Sequence, residues 1–215
     1  MLIRLILLRH GLPTIKNSLL GQTDCDVSQN GFAQMSETFD SIPVQVNQII
    51  TSPLKRCYEF SSKLSDKTGV PISIYNDLRE CNFGDWDGIS YQTLHKDYPV
   101  QTEQFFTDPF NYSPPNAEHL TKFHNRCVNA ITHFCNDIKS KNQKHFNCLV
   151  VTHAGVIRSL VAWALNFDFA KGEQFKHFDV DYASITELVV HCFDNSLFVK
   201  VHRLNWLPNV MEDLT

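Results

Sequence analysis

Leu5-Ile6-Leu7-Leu8-Arg9-His10-Gly11 decides how this chain is read. Its four apolar residues form a short buried strand, which stops at polar residues followed by Gly11 and Pro13. A second apolar run, Cys148-Leu149-Val150-Val151-Thr152, ends in the same way, on His153-Ala154-Gly155. In open α/β sheets, ligands bind beyond the carboxyl ends of the strands. Two strands that each carry a histidine to that edge imply one site, with Arg9 fixed beside it. Imidazole with guanidinium suits a phosphate: one attacks, the other holds charge.

Outward from these runs, strands and helices alternate. After a loop over 11–27, Ser28 reads as an N-cap, and Phe32, Met35 and Phe39 follow at helical spacing. Residues 48–52 form a strand ended by Pro53. A helix over 54–64 follows, through Leu54, Cys57, Phe60 and Leu64, then a turn at Gly69-Val70-Pro71 and a strand over 72–74. The aromatic-rich stretch 78–115 reads as an excursion over the sheet edge with one or two short helices. A long amphipathic helix over 117–140 has Leu120, Phe123, Cys127, Ala130, Ile131, Phe134 and Ile138 on one face. The strand over 148–152 leads into a helix over 156–165. Two late strands, 184–190 and 197–201, meet at a hairpin turn on Asp194-Asn195. The pattern predicts a three-layer α/β/α sandwich with a mostly parallel sheet and an antiparallel edge. No linker divides residues 1–215, so a single domain is expected.

Composition narrows the function. A 43% hydrophobic content supports a sizeable core, and a net charge of −4 argues against general nucleic-acid binding. The seven cysteines are scattered and odd in number, without a C-x-x-C pair, which points to a reduced, cytoplasmic setting. The apolar start contains Arg4 and is too short for a signal peptide, and no run approaches a membrane span. Ten histidines raise the question of a metal, but His119, His124, His133 and His145 lack the i, i+4 pairing of a zinc helix.

Four elements carry chemistry. Arg9-His10-Gly11 follows a strand, and Gly11 would let the backbone turn and a ligand approach. In Thr51-Ser52-Pro53-Leu54-Lys55-Arg56 a strand ends, a proline starts a helix, and Arg56 falls in its first turn, where an anion is favoured. Leu78-Arg79-Glu80 leads into Phe83-Gly84-Asp85-Trp86-Asp87-Gly88. Glu80 is a candidate general acid, since excluded water and a nearby phosphate dianion both favour its protonated form. Asp85 and Asp87 read as exposed loop charges. At His153-Ala154-Gly155, free helix N–H groups, such as that of Ala154, point to the same place.

At these residues the chain resembles the histidine phosphatase superfamily, the phosphoglycerate-mutase-like fold. Leu8-Arg9-His10-Gly11, Ser52-Pro53-Leu54-x-Arg56, Leu78-Arg79-Glu80 and Thr152-His153-Ala154-Gly155 occur in that family's order and approximate spacing. The resemblance implies that His10 is a nucleophile forming a phosphohistidine. It also implies that Arg9, Arg56 and His153 bind phosphoryl oxygens and that Glu80 is the proton donor. Two guanidiniums, an imidazolium and helix N–H groups would then stabilise the equatorial oxygens without metal or cofactor. Asn17 is a weaker candidate for the phosphate loop, and Gln22 and Thr23 would line the pocket instead. Pro114-Pro115-Asn116-Ala117-Glu118 resembles a family segment without its glycines, and Glu118 reads best as a helix N-terminal acid.

The expected partner is a small phosphorylated metabolite, with neither nucleic acid nor membrane; a homodimer is allowed. Gly21-Gln22-Thr23-Asp24 and the Leu-Arg-Glu…Phe-Gly-Asp-Trp block look most like α-ribazole-5′-phosphate phosphatases of cobalamin synthesis. Broad-specificity and sugar phosphatases share these segments, and phosphoglycerate mutases share the catalytic set. A non-enzymatic phospholigand binder would have no use for a neutral nucleophile paired with an acid.

Overall fold

In the computed structural model, residues 1–141, 143–168, 175–193 and 196–208 are described. The strands are β1 (Leu2–Arg9), β2 (Gln48–Thr51), β3 (Ile72–Ile74), β4 (His145–Thr152), β5 (Ile185–Cys192) and β6 (Leu197–Trp206). The α-helices are α1 (Gln29–Asp40), α2 (Lys55–Thr68), α3 (Tyr91–Asp97), α4 (Pro99–Thr107), α5 (Leu120–Ser140) and α6 (Ala154–Leu165). The sheet runs β3-β2-β4-β1-β5-β6. β1 to β4 are mutually parallel, and the antiparallel edge is made by β5, which runs against both β1 and β6.

Side-chain alternation along the central strands builds two cores, because successive residues face opposite sides of a sheet. Leu5, Leu7, Cys148 and Val150 face α5 and α6. Ile6, Leu8, Leu149 and Val151 face α1 and α2 through Met35, Cys57, Phe60 and Leu64. A sheet packed on both faces is the three-layer sandwich. All seven cysteines are buried and unbridged.

Register then positions the site. Leu2 to Arg9 pair in order with His145 to Thr152, so β1 and β4 end level. The His10 N–H donates to Thr152 O at 2.9 Å, which carries the alignment one residue past the strands. Gly11 serves a different purpose from the one its sequence suggests. A Cβ there would lie 2.2 Å from Gly31 O, so the glycine admits the first turn of α1 against the chain, not a ligand.

Element ends differ from the sequence reading for local reasons. α2 continues to Thr68, where Gly69 at φ 72° closes it in the left-handed region. α5 starts at Leu120, not 117, because the His119 side chain caps it by accepting the Thr121 N–H at 3.2 Å. α6 starts at Ala154, directly after β4. β6 runs on to Trp206 through polar residues that hide it from an apolar-run reading. The turn expected at Asp194-Asn195 lies outside the described residues. Over 76–115 the chain makes two short 3-10 turns, Asn76–Leu78 and Gly84–Trp86, then α3 and α4. Trp86, Leu94 and Phe105 pack there with Leu19 as a small separate core. Among the described residues no helix is long and apolar enough to cross a membrane.

Candidate active site

His10 is only 5% exposed and sits at the carboxyl edge of β1. Its Nδ1 lies 2.8 Å from Gly11 O. A carbonyl can only accept, so Nδ1 carries the proton and Nε2 keeps its lone pair. Burial first, then the Arg56 and Arg9 cations, push the His10 pKa well below the usual imidazole value. The ring is therefore neutral near pH 7, with one fixed tautomer, as a nucleophile requires.

His153 is fully buried behind it, with ring centroids 5.2 Å apart. Arg56 Nε–H donates to His153 Nδ1 at 3.3 Å, so the ring proton is on Nε2, which donates to Ser52 Oγ at 2.8 Å. Burial, then Arg56, His10 and Arg9, lower the His153 pKa well below the usual value. The imidazolium expected from sequence is thus a neutral ring in this structure, because burial strips its solvent and two neighbouring guanidiniums add positive charge. Arg56 is fully buried in the first turn of α2. Its Nη1 donates to Thr23 O at 2.8 Å and its Nη2 to Gly21 O at 2.6 Å. Arg56 and His153 form a hydrogen-bonded floor beneath His10.

Above the floor opens a cavity of about 270 Å³ whose polar lining includes Arg9, His10, Glu80, Arg158 and Tyr182. Arg9 stacks its guanidinium 3.8 Å above the Tyr182 ring and donates from Nη1 to Val180 O, while its Nε is buried without a partner. Glu80 is held at both oxygens: Oε1 accepts the Cys81 N–H at 3.1 Å and Oε2 the Gly155 N–H at 3.0 Å. A Cβ on Gly155 would meet Glu80 Oε1 at 2.3 Å, so this glycine makes room for the acid. Ala154 and Gly155 line the cavity where α6 begins. Leu19, Leu20, Phe83, Tyr91, Phe105, Phe106 and Phe123 supply an apolar wall.

The weaker candidates fall elsewhere. Asn17 is exposed, with φ 52°, and its carbonyl accepts the Tyr91 N–H at 2.9 Å. Ser18, Leu19 and Leu20, not Gln22 and Thr23, reach the cavity from this loop. Gln22 Nε2 instead donates to Glu80 O at 3.4 Å, and Thr23 offers its carbonyl to Arg56. Glu118 is neither a site residue nor a helix N-terminal acid acting alone. It grips Arg126 at 2.8 and 2.9 Å, and Arg126 donates to Asp77 O, Arg79 O and Glu80 O at 2.6 to 3.0 Å. This two-pronged pairing fixes the segment that presents Glu80.

Sequence reasoning missed Arg158. Its Nε is buried and unpartnered, and its Nη2 donates to Phe178 O at a long 3.4 Å. Burial lowers the pKa of both Arg9 and Arg158, as expected of cations that lack a close counter-ion. Helical spacing was the available signal: Arg158 is four residues after Ala154, so it shares that residue's face of α6. Among the described residues no group of three or more His, Cys, Asp or Glu could hold a metal ion.

The sequence model of the histidine phosphatase superfamily (branch 1) matches residues 5–200, and the chain belongs to that superfamily. It is a phosphatase, a phosphoric monoester hydrolase. Putative phosphoserine phosphatase 2 of Hydrogenobacter thermophilus is 27% identical over 193 residues, 86% of this chain and 88% of that protein. Adenosylcobalamin/alpha-ribazole phosphatase of Escherichia coli is 25% identical over 181 residues, 83% of this chain and 85% of that protein. The native structure of mycobacterial glucosyl-3-phosphoglycerate phosphatase has the same fold, with a TM-score of 0.82 at 23% identity, covering 95% of this chain and 99% of the other.

Proposed function

We propose that the chain is a metal-independent phosphomonoesterase that works through a phosphohistidine at His10. One observation carries this reading: a neutral imidazole with Nδ1–H tied to Gly11 O sits at a cavity that also holds Arg9 and Glu80. The Nε2 lone pair attacks phosphorus as the ester P–O bond breaks, and Glu80 gives its proton to the departing alkoxide. Water then attacks the phosphohistidine while the Glu80 carboxylate takes its proton, and the P–N bond breaks to free phosphate. Each Glu80 oxygen spends one lone pair on a backbone N–H and keeps another for this proton. Arg9, which lines the cavity, and Arg56, buried in the floor beneath His10, supply the positive charge for the equatorial oxygens. Fixed donors of this kind are worth roughly 2.7–4 kcal/mol each in acyl transfer, a fair scale here.

For the substrate, we infer a small phosphorylated metabolite whose leaving group rests on the aromatic wall. α-Ribazole-5′-phosphate suits it, because a flat base can stack on Tyr91, Phe105 and Phe106. Arg158 favours a second reading: its cation lines the cavity and would reward a leaving group bearing a carboxylate, as in phosphoserine or a phosphoglycerate. A phosphate-release panel decides between them, with α-ribazole-5′-phosphate, phosphoserine, 3-phosphoglycerate, fructose bisphosphate and p-nitrophenyl phosphate. Trapping of acid-labile label on His10 supports the common mechanism. Isomerisation of phosphoglycerate without release of phosphate would replace hydrolase by mutase.

A further inference from the structure

The stretch Phe83-Gly84-Asp85-Trp86-Asp87-Gly88 contributes no group to the chemistry above, and Asp87 reads from sequence as an exposed loop charge. In the structure Asp87 is half-buried and its carboxylate gathers a whole loop. Oδ1 accepts the Gly21 N–H at 3.2 Å, the Thr23 N–H at 2.8 Å and the Thr23 hydroxyl at 2.6 Å. Oδ2 accepts the Gln22 N–H at 2.7 Å and the Phe83 N–H at 3.3 Å. Three consecutive amides converging on one anion form the kind of concavity that usually takes a phosphate. Here the chain's own carboxylate fills it.

The other side of that loop faces the floor of the site. With their amides turned to Asp87, Gly21 and Thr23 present their carbonyls to Arg56 Nη2 and Nη1. Arg56 Nε in turn holds His153 Nδ1, and His153 Nε2 holds Ser52 Oγ. We propose that Asp87 is a positioning residue for phosphoryl transfer, acting through the Gly21–Thr23 loop to fix Arg56 and thereby the tautomer and charge state of His153. Gly21 is part of the device, since a Cβ there would lie 2.2 Å from Cys81 O and 2.3 Å from Asp87 Oδ2. The role rests on the reading of this cavity as the phosphoryl-transfer site, but its central readout needs no turnover.

The test is Asp87→Asn, which keeps the volume but replaces one of the two accepting oxygens with an NH2 group that can only donate. Histidine ring resonances are followed by NMR as a function of pH, alongside kcat/KM for p-nitrophenyl phosphate, inhibition by inorganic phosphate, and the melting temperature. The groups facing His153 are Arg56, His10 and Arg9, with Arg126 farther off and Cys57 Sγ 3.6 Å from Nε2. When Arg56 loses its carbonyl anchors, its charge withdraws from Nδ1. His153 should then titrate at least about one pH unit higher, a tenfold gain in proton affinity. kcat/KM should fall about 30- to 100-fold with weaker phosphate inhibition, and Asp87→Glu should recover part of both. A lower melting temperature with unchanged His153 titration and unchanged kcat/KM would reduce Asp87 to a loop staple and overturn the proposal. If Asp87→Asn does not fold, Thr23→Val removes only the hydroxyl bond to Oδ1. It must shift His153 in the same direction by a smaller amount, and no shift refutes the role. A shift without a trapped phosphoenzyme would instead refute the phosphohistidine reading while leaving the linkage intact.

Discussion

The floor and the wall of the cavity are built on opposite terms. On the floor, His10, Arg56 and His153 are almost wholly buried and held by hydrogen bonds to Gly11 O, Thr23 O, Gly21 O and Ser52 Oγ. On the wall, Phe83 meets Phe105 edge-on, Tyr91–Phe106 and Phe105–Phe106 are tilted ring pairs, and Phe106 is 47% exposed. A floor with fixed tautomers can do one reaction well. An apolar wall discriminates leaving groups by contact area and by whatever the nearby Arg158 can pair with. The chemistry and the choice of substrate therefore reside in different parts of the molecule and should separate under mutation.

The strongest attempt to break that division is His10→Ala. Turnover should fall by about 10⁴-fold or more for every ester, as when a nucleophile that works in a concerted group is removed. Residual activity near wild type would move the nucleophile elsewhere. Glu80→Gln comes next. A loss of about 10²–10⁴-fold is expected for esters with poor leaving groups and much less for p-nitrophenyl phosphate, whose leaving group needs little protonation. Equal losses on both would remove Glu80 from the acid role.

The third test concerns stability. His10 and His153 have pKa values depressed in the folded protein, while an unfolded imidazole titrates near about 6.5. Below that pH the unfolded chain binds more protons, so stability falls on acidification and is level above it. Each ring contributes up to about 1.4 kcal/mol per pH unit until its folded pKa is passed. Melting temperatures between pH 8 and 5.5 should decline only below about 6.5, and His153→Asn should flatten the decline. The smallest effect belongs to the wall. Phe106→Ala should raise KM about two- to tenfold, the worth of one aromatic contact, with kcat and melting temperature nearly unchanged. A uniform loss in kcat for all esters would erase the distinction between floor and wall.

How much of this was legible in the sequence depended on where each residue's partners lie. Arg9, His10, Arg56, His153 and Ala154 could be picked out because each lies at a strand end or helix start marked by Gly or Pro, and Glu80 as a carboxylate leading into an aromatic loop. The structure gathers them at one edge of the sheet. The three-layer sandwich followed from the alternation of strands and helices. Asp87, Arg126 and Arg158 could not be found in this way. Asp87 and Arg126 mainly bind backbone atoms far along the chain, Gly21 to Thr23 for the first and Asp77 to Glu80 for the second. No side-chain pattern records such partners. Arg158 matters because α6 carries it to the cavity, which only the folded chain shows. The charge of His153 differs from the sequence reading for a related reason: its burial and the nearby Arg56, His10 and Arg9 are brought about by the fold and not by its neighbours in sequence.

The level pairing of β1 with β4 has a consequence for how the molecule assembles. Eight residue pairs zip these strands from Leu2–His145 to Arg9–Thr152, and the next residues along are the two histidines. Docking the middle of the sheet and installing the reactive imidazole are thus one event in folding. Helices α3 and α4, whose Leu94 and Phe105 pack on Trp86 in a small separate core, lie outside that pairing. A protease that nicks the chain between α3 and α4 would be expected to loosen selectivity well before it silences the enzyme.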